Sequence, residues 1–156
     1  METEYIDGLL RLLCERQGEY AGEGINHEDE PFHGRLRLTS VAEGAGILLA
    51  FEATSLDAQI CFHTEHTLIA RDDAGSLVLW NLGSNLRFLA PHKLSAAEPE
   101  KRYVFGYGDP AGEGFAEEIT LTFEEGTIGY WFAWGHPGSP FGPRSSVIMS
   151  PVEVKS

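Results

Sequence analysis

The clearest pattern along the chain is a strict alternation of apolar and polar residues in the stretch 115–134. One face of its first arm carries every second residue, namely Phe115, Glu117, Ile119, Leu121 and Phe123. The returning arm repeats this spacing with Ile128, Tyr130, Phe132 and Trp134. A period of two on both sides of Glu124-Glu125-Gly126 predicts a β-hairpin. Because these arms are the most hydrophobic in the chain, we expect the other strands to close around their inner face.

Two registers of this hairpin are compatible with its turn. A two-residue loop, Glu125-Gly126, pairs Phe123 with Ile128 and buries four large side chains: Ile119, Leu121, Tyr130 and Phe132. A three-residue loop with Gly126 in a left-handed bulge pairs Phe123 with Thr127 instead. That alternative turns Tyr130, Phe132 and Trp134 outward and places Trp131 inside with Ile119 and Leu121. The number of buried apolar positions favours the first register.

Shorter alternating segments separated by glycine- and proline-containing turns fill most of the remaining chain. With the two hairpin arms they predict about ten strands, the others being 19–24, 35–41, 47–53, 59–70, 77–81, 86–90, 103–107 and 144–154. Residues 91–101 and 135–143 are predicted to be loops. Short connections favour antiparallel neighbours, and a meander of this length favours closure, which removes exposed edges. The predicted fold class is therefore all-β, an antiparallel up-and-down β-barrel.

A single helix is predicted at the start of the chain, over residues 3–17. Its apolar residues recur at helical spacing in one stripe, formed by Ile6, Leu9, Leu10, Leu13 and Cys14. We expect this helix to lie across one end or one flank of the barrel. The chain is then a single domain, 1–156, with the helix in 1–17 and the barrel in 18–156.

Composition restricts the functional classes. The 156 residues carry a formal charge of −13, from 24 acidic and 11 basic side chains. Such a field repels phosphate backbones and anionic lipids, so neither nucleic acid nor a membrane is an expected partner. Cys14 and Cys61 match no zinc or redox spacing, and no metal site is predicted. The acidic N-terminus lacks the pattern of a signal peptide, which predicts a cytoplasmic protein with free thiols.

A glycine-rich first strand follows the helix, with Tyr20 between glycines in Gly18-Glu19-Tyr20-Ala21-Gly22-Glu23-Gly24. This stretch and the order of elements resemble the calycin-like barrels, in particular nitrobindin and its fatty-acid-binding-protein-like relatives. Tyr20 stands where that family has Trp. The resemblance implies a helical turn followed by about ten antiparallel strands. It also implies that an arginine near the end of the chain, Arg144, packs on Tyr20 and closes the barrel.

The same resemblance raises the question of haem, which nitrobindin-like proteins bind through a histidine on a strand near the C-terminus. The segment 144–154 contains no histidine, and the nearest candidate, His136, precedes that segment. We therefore expect no cofactor, with haem as the alternative.

The richest polar cluster is Cys61-Phe62-His63-Thr64-Glu65-His66. In a strand His63 and Glu65 point to one face and His66 to the other, so the two histidines cannot share a metal. The face that carries Leu68 is the more apolar, so we predict that His66 faces the interior and contacts a ligand. The alternative is a core or rim histidine whose hydrogen bonds are satisfied.

Aromatic residues supply the other candidate ligand contacts: Trp80, Tyr103, Tyr107, Tyr130, Phe132 and Trp134. Aromatic rings with a polar tip suit a flat, mostly apolar ligand, although they can equally fill the core. Arg35 and Arg37 could form a carboxylate-binding pair, but Leu36 and Leu38 occupy the alternate positions, so the arginines are predicted to face water.

These features predict a non-catalytic protein that binds a small apolar or aromatic molecule inside a barrel. One alternative is a small barrel enzyme, an isomerase, cyclase or decarboxylase, that uses a cavity His or Tyr. Another is a dimeric scaffold with a filled core; a cavity of several hundred Å³ distinguishes the first two classes from it. Strands with large apolar side chains on both faces, around Trp80 and Trp131, also predict a homodimer.

Overall fold

A computed structural model describes residues 2–153, with side chains from residue 8 onward. One α-helix and one short 3-10 turn accompany ten strands in this part of the chain. The helix α1 spans Glu2–Glu15 and the 3-10 turn spans Ala42–Gly44. The strands are β1 (Gly18–Ile25), β2 (Pro31–Val41), β3 (Gly46–Thr54), β4 (Cys61–Arg71), β5 (Leu77–Gly83), β6 (Ala90–Glu98), β7 (Arg102–Tyr107), β8 (Ala116–Glu124), β9 (Thr127–His136) and β10 (Ser139–Pro151).

Every strand pairs antiparallel with the next in sequence, and β1 pairs with β10, which closes the barrel. The predicted fold class, an antiparallel up-and-down barrel of about ten strands with a short N-terminal helix, is confirmed. No helix within residues 2–153 has both the length and the apolar character needed to cross a bilayer.

The central hairpin adopts the register that its apolar positions favour. Phe123 lies opposite Ile128 and Leu121 lies opposite Tyr130, and all four side chains are buried. The loop has two residues, Glu125 with φ of 48° and Gly126 with φ of 84°. Positive φ at both loop residues matches the right-handed twist of the flanking strands.

Three segment predictions are wrong. Residues 91–101, predicted as a loop, lie mostly in β6, and residues 135–143 contain the end of β9 and the start of β10. Residues 86–90, predicted as a strand, precede β6 and are irregular except at Ala90. Backbone pairing holds β6 in place, with β5 over residues 90–93 and with β7 over most of residues 93–98, and such pairing overrides weak strand propensity. Val154, the predicted end of the last strand, lies outside the described residues.

Helix α1 covers one end of the barrel. Leu9 and Leu13 are fully buried, and the helix contacts β2, β3 and the 3-10 turn. Beneath them the interior at this end is filled by large apolar side chains, among them Leu36, Leu38, Ile47, Leu49, Ile69, Leu79, Tyr103, Phe105, Leu121 and Ile128. The side chain of Ile6, part of the predicted apolar stripe, lies outside the described part.

The glycines of β1 permit this closure. A Cβ atom on Gly22 would overlap the carbonyl oxygen of Ile148, and one on Gly24 would overlap the carbonyl oxygen of Ser146. Both oxygens belong to β10, which approaches β1 too closely for a side chain on this face. The glycine-rich pattern of the first strand therefore has a packing cause.

The predicted contact between Arg144 and Tyr20 is wrong. Tyr20 lies opposite Pro151, next to α1, and its hydroxyl donates to the carbonyl of Arg16. Because β10 runs antiparallel to β1, Arg144 lies towards the other end of the barrel. There its guanidinium stands 4.3 Å from the ring centroid of Trp134.

Candidate functional site

The end of the barrel opposite α1 holds a cavity of about 500 Å³. Its walls are aromatic, with Phe32, Phe51, Phe132 and Trp134 contributed by strands around the barrel. Its inner polar groups include Glu65, Asn81 and Glu117, together with His63. The β1–β2 turn, which includes Glu28 and Glu30, lines the mouth. The interior is thus divided into a filled half beneath the helix and an open half.

Glu65 is the centre of a hydrogen-bond network inside the barrel. Its side chain is only 2% exposed. The hydroxyl of Tyr130 donates to Oε1, Nδ2 of Asn81 donates to Oε2 at 3.0 Å, and Nε2 of His63 lies 3.1 Å from Oε2. Asn81 also donates to Oγ1 of Thr67 at 2.9 Å. A buried carboxylate requires such partners, because an unpaired one carries a large desolvation cost.

Tyr130 is held in its protonated, donating form. Burial raises the pKa of Tyr130 well above its ordinary value, and the neighbouring charge of Glu65 raises it further. The phenol therefore keeps its proton at physiological pH and remains a hydrogen-bond donor to the Glu65 carboxylate.

A second pair, His92 and Glu117, lies on the β6–β8 side of the barrel. His92 is fully buried, its Nδ1 is 3.0 Å from the carbonyl oxygen of Ala90, and its Nε2 is 2.8 Å from Oε1 of Glu117. A carbonyl oxygen can only accept, so Nδ1 carries a proton and donates it. Nε2 and the Glu117 carboxyl group then share one further proton, held by either partner.

The second carboxyl oxygen of Glu117 faces the cavity. The Glu117 side chain is 13% exposed and lines the cavity, and Oε2 has no hydrogen-bond partner among residues 2–153. Every fully buried side-chain nitrogen or oxygen in this part of the chain has such a partner. Oε2 is therefore open to the cavity space. It accepts a hydrogen bond whichever partner holds the proton shared with His92.

The aromatic wall is a set of rings in mutual contact. The centroid of Tyr130 lies 4.9 Å from that of Phe51 and 4.6 Å from that of Phe132. Nearer the mouth, the ring of His136 stacks on Trp134 at 5.5 Å, with 11° between the planes. Arg144 contacts the same Trp134 ring, and its guanidinium donates to the carbonyl of Trp134. These contacts hold Trp134 in position at the entrance.

The mouth carries two neighbouring carboxyl groups on the β1–β2 turn. Oδ1 of Asn26 accepts from the backbone N–H groups of Glu28 and Glu30, at 2.8 and 2.9 Å, and this shapes the turn. The Glu28 carboxyl group beside Glu30 raises the pKa of Glu30, through a shared hydrogen bond and through charge repulsion.

The residues considered for a metal and for haem lie as follows. Among the described residues, no three His, Cys, Asp or Glu side chains converge on a possible metal position. His136, the residue considered for haem, is exposed at the mouth, and its Nδ1 faces the carbonyl oxygen of Pro137. The expectation of no cofactor, with haem as the alternative, stays a prediction.

The structure distributes the predicted aromatic residues over three environments. Phe132 and Trp134 line the cavity. Tyr130 lies behind the lining and reaches it through Glu65, and Tyr107 packs against His92 with 5.6 Å between ring centroids. Tyr103 is buried in the filled half, where its hydroxyl accepts from the backbone N–H of Glu100.

The predicted inward orientation of His66 is wrong, and Trp80 is not a cavity residue. Glu65 and Thr67 are buried on the inner face of β4, whereas His66 is exposed on the outer face. Trp80 belongs to the outer face of β5, since its neighbours Leu79 and Asn81 point inward. The inner face of β4 is the more polar one because Tyr130 and Asn81 satisfy its buried carboxylate.

Sequence reasoning missed Asn81, His92 and Glu117 as candidate site residues. For two of them a signal exists in the alternation itself. Glu117 lies two residues before Ile119, and Asn81 lies two residues after Leu79. In an alternating strand each therefore points to the same inner face as that apolar residue. A polar residue at an otherwise apolar inner position indicates a partner or a cavity.

Comparison with known proteins supports the fold. No protein-family model matches the chain, and no curated protein matches it in sequence. The crystal structure of Rv2717c from M. tuberculosis is similar, with a TM-score of 0.67, 12% sequence identity, and coverage of 92% of this chain and 97% of that one. A de novo designed fluorescence-activating β-barrel aligns with a TM-score of 0.47 and 11% identity over 89% of this chain and 96% of the designed one.

The likeness to Rv2717c shows the fold. At 12% identity it does not extend to a family or a ligand. The cavity and its side chains therefore carry the structural evidence on function.

Proposed function

We propose that this protein binds a small, mostly apolar or aromatic molecule in the barrel cavity and does not convert it chemically. The supporting observation is the cavity of about 500 Å³ with aromatic walls at the end opposite the helix. Small-molecule sites typically enclose ~300–1,000 Å³ and combine apolar walls with a few polar groups. A scaffold with a filled core would contain no such cavity.

The polar network favours binding over catalysis. Glu65 is enclosed by three side chains, and the hydroxyl of Tyr130 is directed at that carboxylate and buried. Groups fixed in this way orient a ligand but are poorly placed to exchange protons with it. The observation that favours the alternative, an acid–base enzyme, is the distance of 2.8 Å between Nε2 of His92 and Oε1 of Glu117 beside the cavity.

Three further assignments belong to this proposal. We propose that the chain is a calycin-like barrel of the nitrobindin type, on the basis of its glycine-rich first strand and the barrel fold. We also retain a cytoplasmic location and a homodimer. The outer face of β9 supports the dimer, since Trp131 is 39% exposed there.

The experiment uses cavity-filling substitutions with matched controls. Ala53 lines the cavity, whereas Ala50 on the same strand faces outward opposite His66. Ala53→Trp is expected to abolish saturable binding of N-phenyl-1-naphthylamine, a neutral fluorophore, because the indole occupies the cavity. Ala50→Trp is expected to leave the dissociation constant unchanged. Circular dichroism and a thermal melt of both variants check that the barrel is intact.

A second pair of variants, on β10, repeats the test on a different strand. Ser145 lines the cavity, and Ser146 follows it on the opposite face. Ser145→Trp is expected to reproduce the loss of binding and Ser146→Trp to retain it. Equal binding by both folded cavity variants and their controls would contradict the proposal, because the probe would then bind elsewhere.

A further inference from the structure

The charges around the cavity have one sign. Its lining contains four carboxyl groups, those of Glu28, Glu30, Glu65 and Glu117, and among the described residues no Lys or Arg belongs to it. Arg144 contacts the lining residue Trp134, but its guanidinium is engaged by backbone carbonyls and by Oγ of Ser139. A carboxylate ligand would therefore find no cationic partner in the lining other than a protonated histidine.

The arginine pair considered for carboxylate binding is directed elsewhere. Arg35 and Arg37 are exposed on the outer face of β2, and both lie against the carboxylate of Glu19. The inward positions of the same strand are taken by Leu36 and Leu38. A site for a fatty-acid headgroup, if built from these arginines, would have to lie outside the barrel.

Glu117 presents an unused acceptor to the cavity. Its Oε1 is occupied by His92, whereas Oε2 is open and lacks a protein partner in the described chain. Glu65 differs, since three side chains already surround its two oxygens. Of these two inner carboxyl groups, Glu117 is the one that can take a new hydrogen-bond donor.

The aromatic walls also favour a cation over an anion. The faces of aromatic rings carry partial negative charge, so Phe32, Phe51, Phe132 and Trp134 attract a cation as well as apolar carbon. At the mouth, Glu28 lies beside Glu30 and raises the pKa of Glu30, first through a hydrogen bond between the two carboxyl groups and then through charge repulsion. Both carboxyl groups belong to the cavity lining, where they favour a cation over an anion.

We infer that the cavity selects an organic cation, an amine attached to an aromatic or apolar body, whose ammonium group donates to Oε2 of Glu117. The body lies against the aromatic walls, and the mouth carboxylates attract the ligand from solution. This inference rests on the proposed function and adds the class of ligand.

The test compares three naphthalene probes of nearly equal size at pH 8 and low salt. They are 2-(1-naphthyl)ethylamine, 2-(1-naphthyl)ethanol and 1-naphthylacetate, which are a cation, a neutral molecule and an anion. The amine is expected to bind about tenfold or more tightly than the alcohol, since a charge-assisted hydrogen bond is about twice as strong as a neutral one. The acetate is expected to bind most weakly. Isothermal titration calorimetry measures all three.

Two variants locate the preference. Glu117→Gln is expected to bring the affinity for the amine down to about that for the alcohol while leaving the alcohol unchanged. Glu118 is the next residue on β8 and lies outside the cavity lining. Glu118→Gln makes the same chemical replacement outside the lining and is expected to alter neither affinity. The ranking of the three probes on the unmodified protein stands whether or not Glu117→Gln folds.

Each result separates the two proposals. Equal affinity for all three probes, or tightest binding of the acetate, would overturn the cation inference and leave the cavity proposal standing. Equal effects of Glu117→Gln and Glu118→Gln on the amine would overturn the assignment to Glu117. Failure of every probe to bind would remove the binding proposal itself, and the inference with it.

Discussion

Replacing Tyr130 by Phe tests the buried network most directly. The substitution removes the hydroxyl that donates to Glu65 and leaves that carboxylate with Asn81 and His63 as its side-chain donors. A hydrogen bond to a charged group contributes about 1.5–3 kcal/mol to the free energy of unfolding. For a chain of this length each kcal/mol corresponds to ~2–4 °C of melting temperature, so the expected decrease is about 3–12 °C.

The pH dependence of stability provides a second readout of the same bond. The pKa of Tyr130 is raised in the folded protein above its ordinary value of 10.0. At a pH below 10.0 the phenol is therefore protonated in both the folded and the unfolded state. Above that pH the unfolded chain loses the proton and the folded protein retains it, so stability falls as pH rises. From about pH 9 to about pH 11 the unmodified protein should lose more stability than Tyr130→Phe, since that variant lacks this titration.

The matched control is Tyr107→Phe. Tyr107 also belongs to the barrel wall, but its hydroxyl has no hydrogen-bond partner in the part of the chain described. Its loss is expected to change the free energy of unfolding by less than about 0.5 kcal/mol. Chemical unfolding followed by circular dichroism measures both variants. Equal midpoints for Tyr130→Phe and Tyr107→Phe would refute the role given to the Glu65 network.

Three further predictions concern the helix, the outer face of the barrel and the oligomeric state. Leu13→Ala should destabilise the barrel by about 2–5 kcal/mol in chemical unfolding, because Leu13 is fully buried between the helix and the barrel. Leu12→Ala should cost less, because Leu12 is only partly buried, and equal costs would contradict this packing. Arg37 lowers the pKa of Glu19, chiefly through a hydrogen bond, so the stability from Glu19 is present above its ordinary pKa of 4.5 and lost as pH falls through the lowered value. Arg37→Gln should raise that pKa in an NMR titration, and an unchanged value would exclude the ion pair. The homodimer predicts a mass near twice 17.2 kDa in light scattering at micromolar concentration, and a stable single-chain mass rules it out.

The alternation of residue types was sufficient to predict the barrel and its central hairpin. In the stretch 115–134 one register buries Tyr130 and Phe132 and the other turns both outward, so the hydrophobic effect distinguishes them. Ten alternating segments with short connections leave few topologies besides an antiparallel meander, and the stripe with Leu9 and Leu13 indicates where a helix can pack. These are local or nearest-neighbour properties, which a sequence displays directly.

The inner face of β4 and the position of Arg144 were decided only by the tertiary structure. Apolar content predicted that His66 faces inward, but the inner positions hold Glu65 and Thr67, whose polar atoms are satisfied across the barrel. The Tyr130 hydroxyl that donates to Glu65 comes from 65 positions away in sequence. Arg144 was predicted at the wrong end of the barrel. Because β10 runs antiparallel to β1, the start of β1 with Tyr20 pairs with the end of β10, and Arg144 lies near the start of β10.

The cavity, too, was decided only by the tertiary structure. Phe132 and Trp134, predicted as ligand contacts, line the cavity, yet their sequence pattern does not distinguish an aromatic wall from a packed core. That difference depends on which strand ends α1 covers, since the covered half is filled by side chains and the opposite half is open. His92 and Glu117 acquire their relationship only when β6 and β8 are brought together, because a shared proton requires two groups within hydrogen-bond distance, 2.8 Å here.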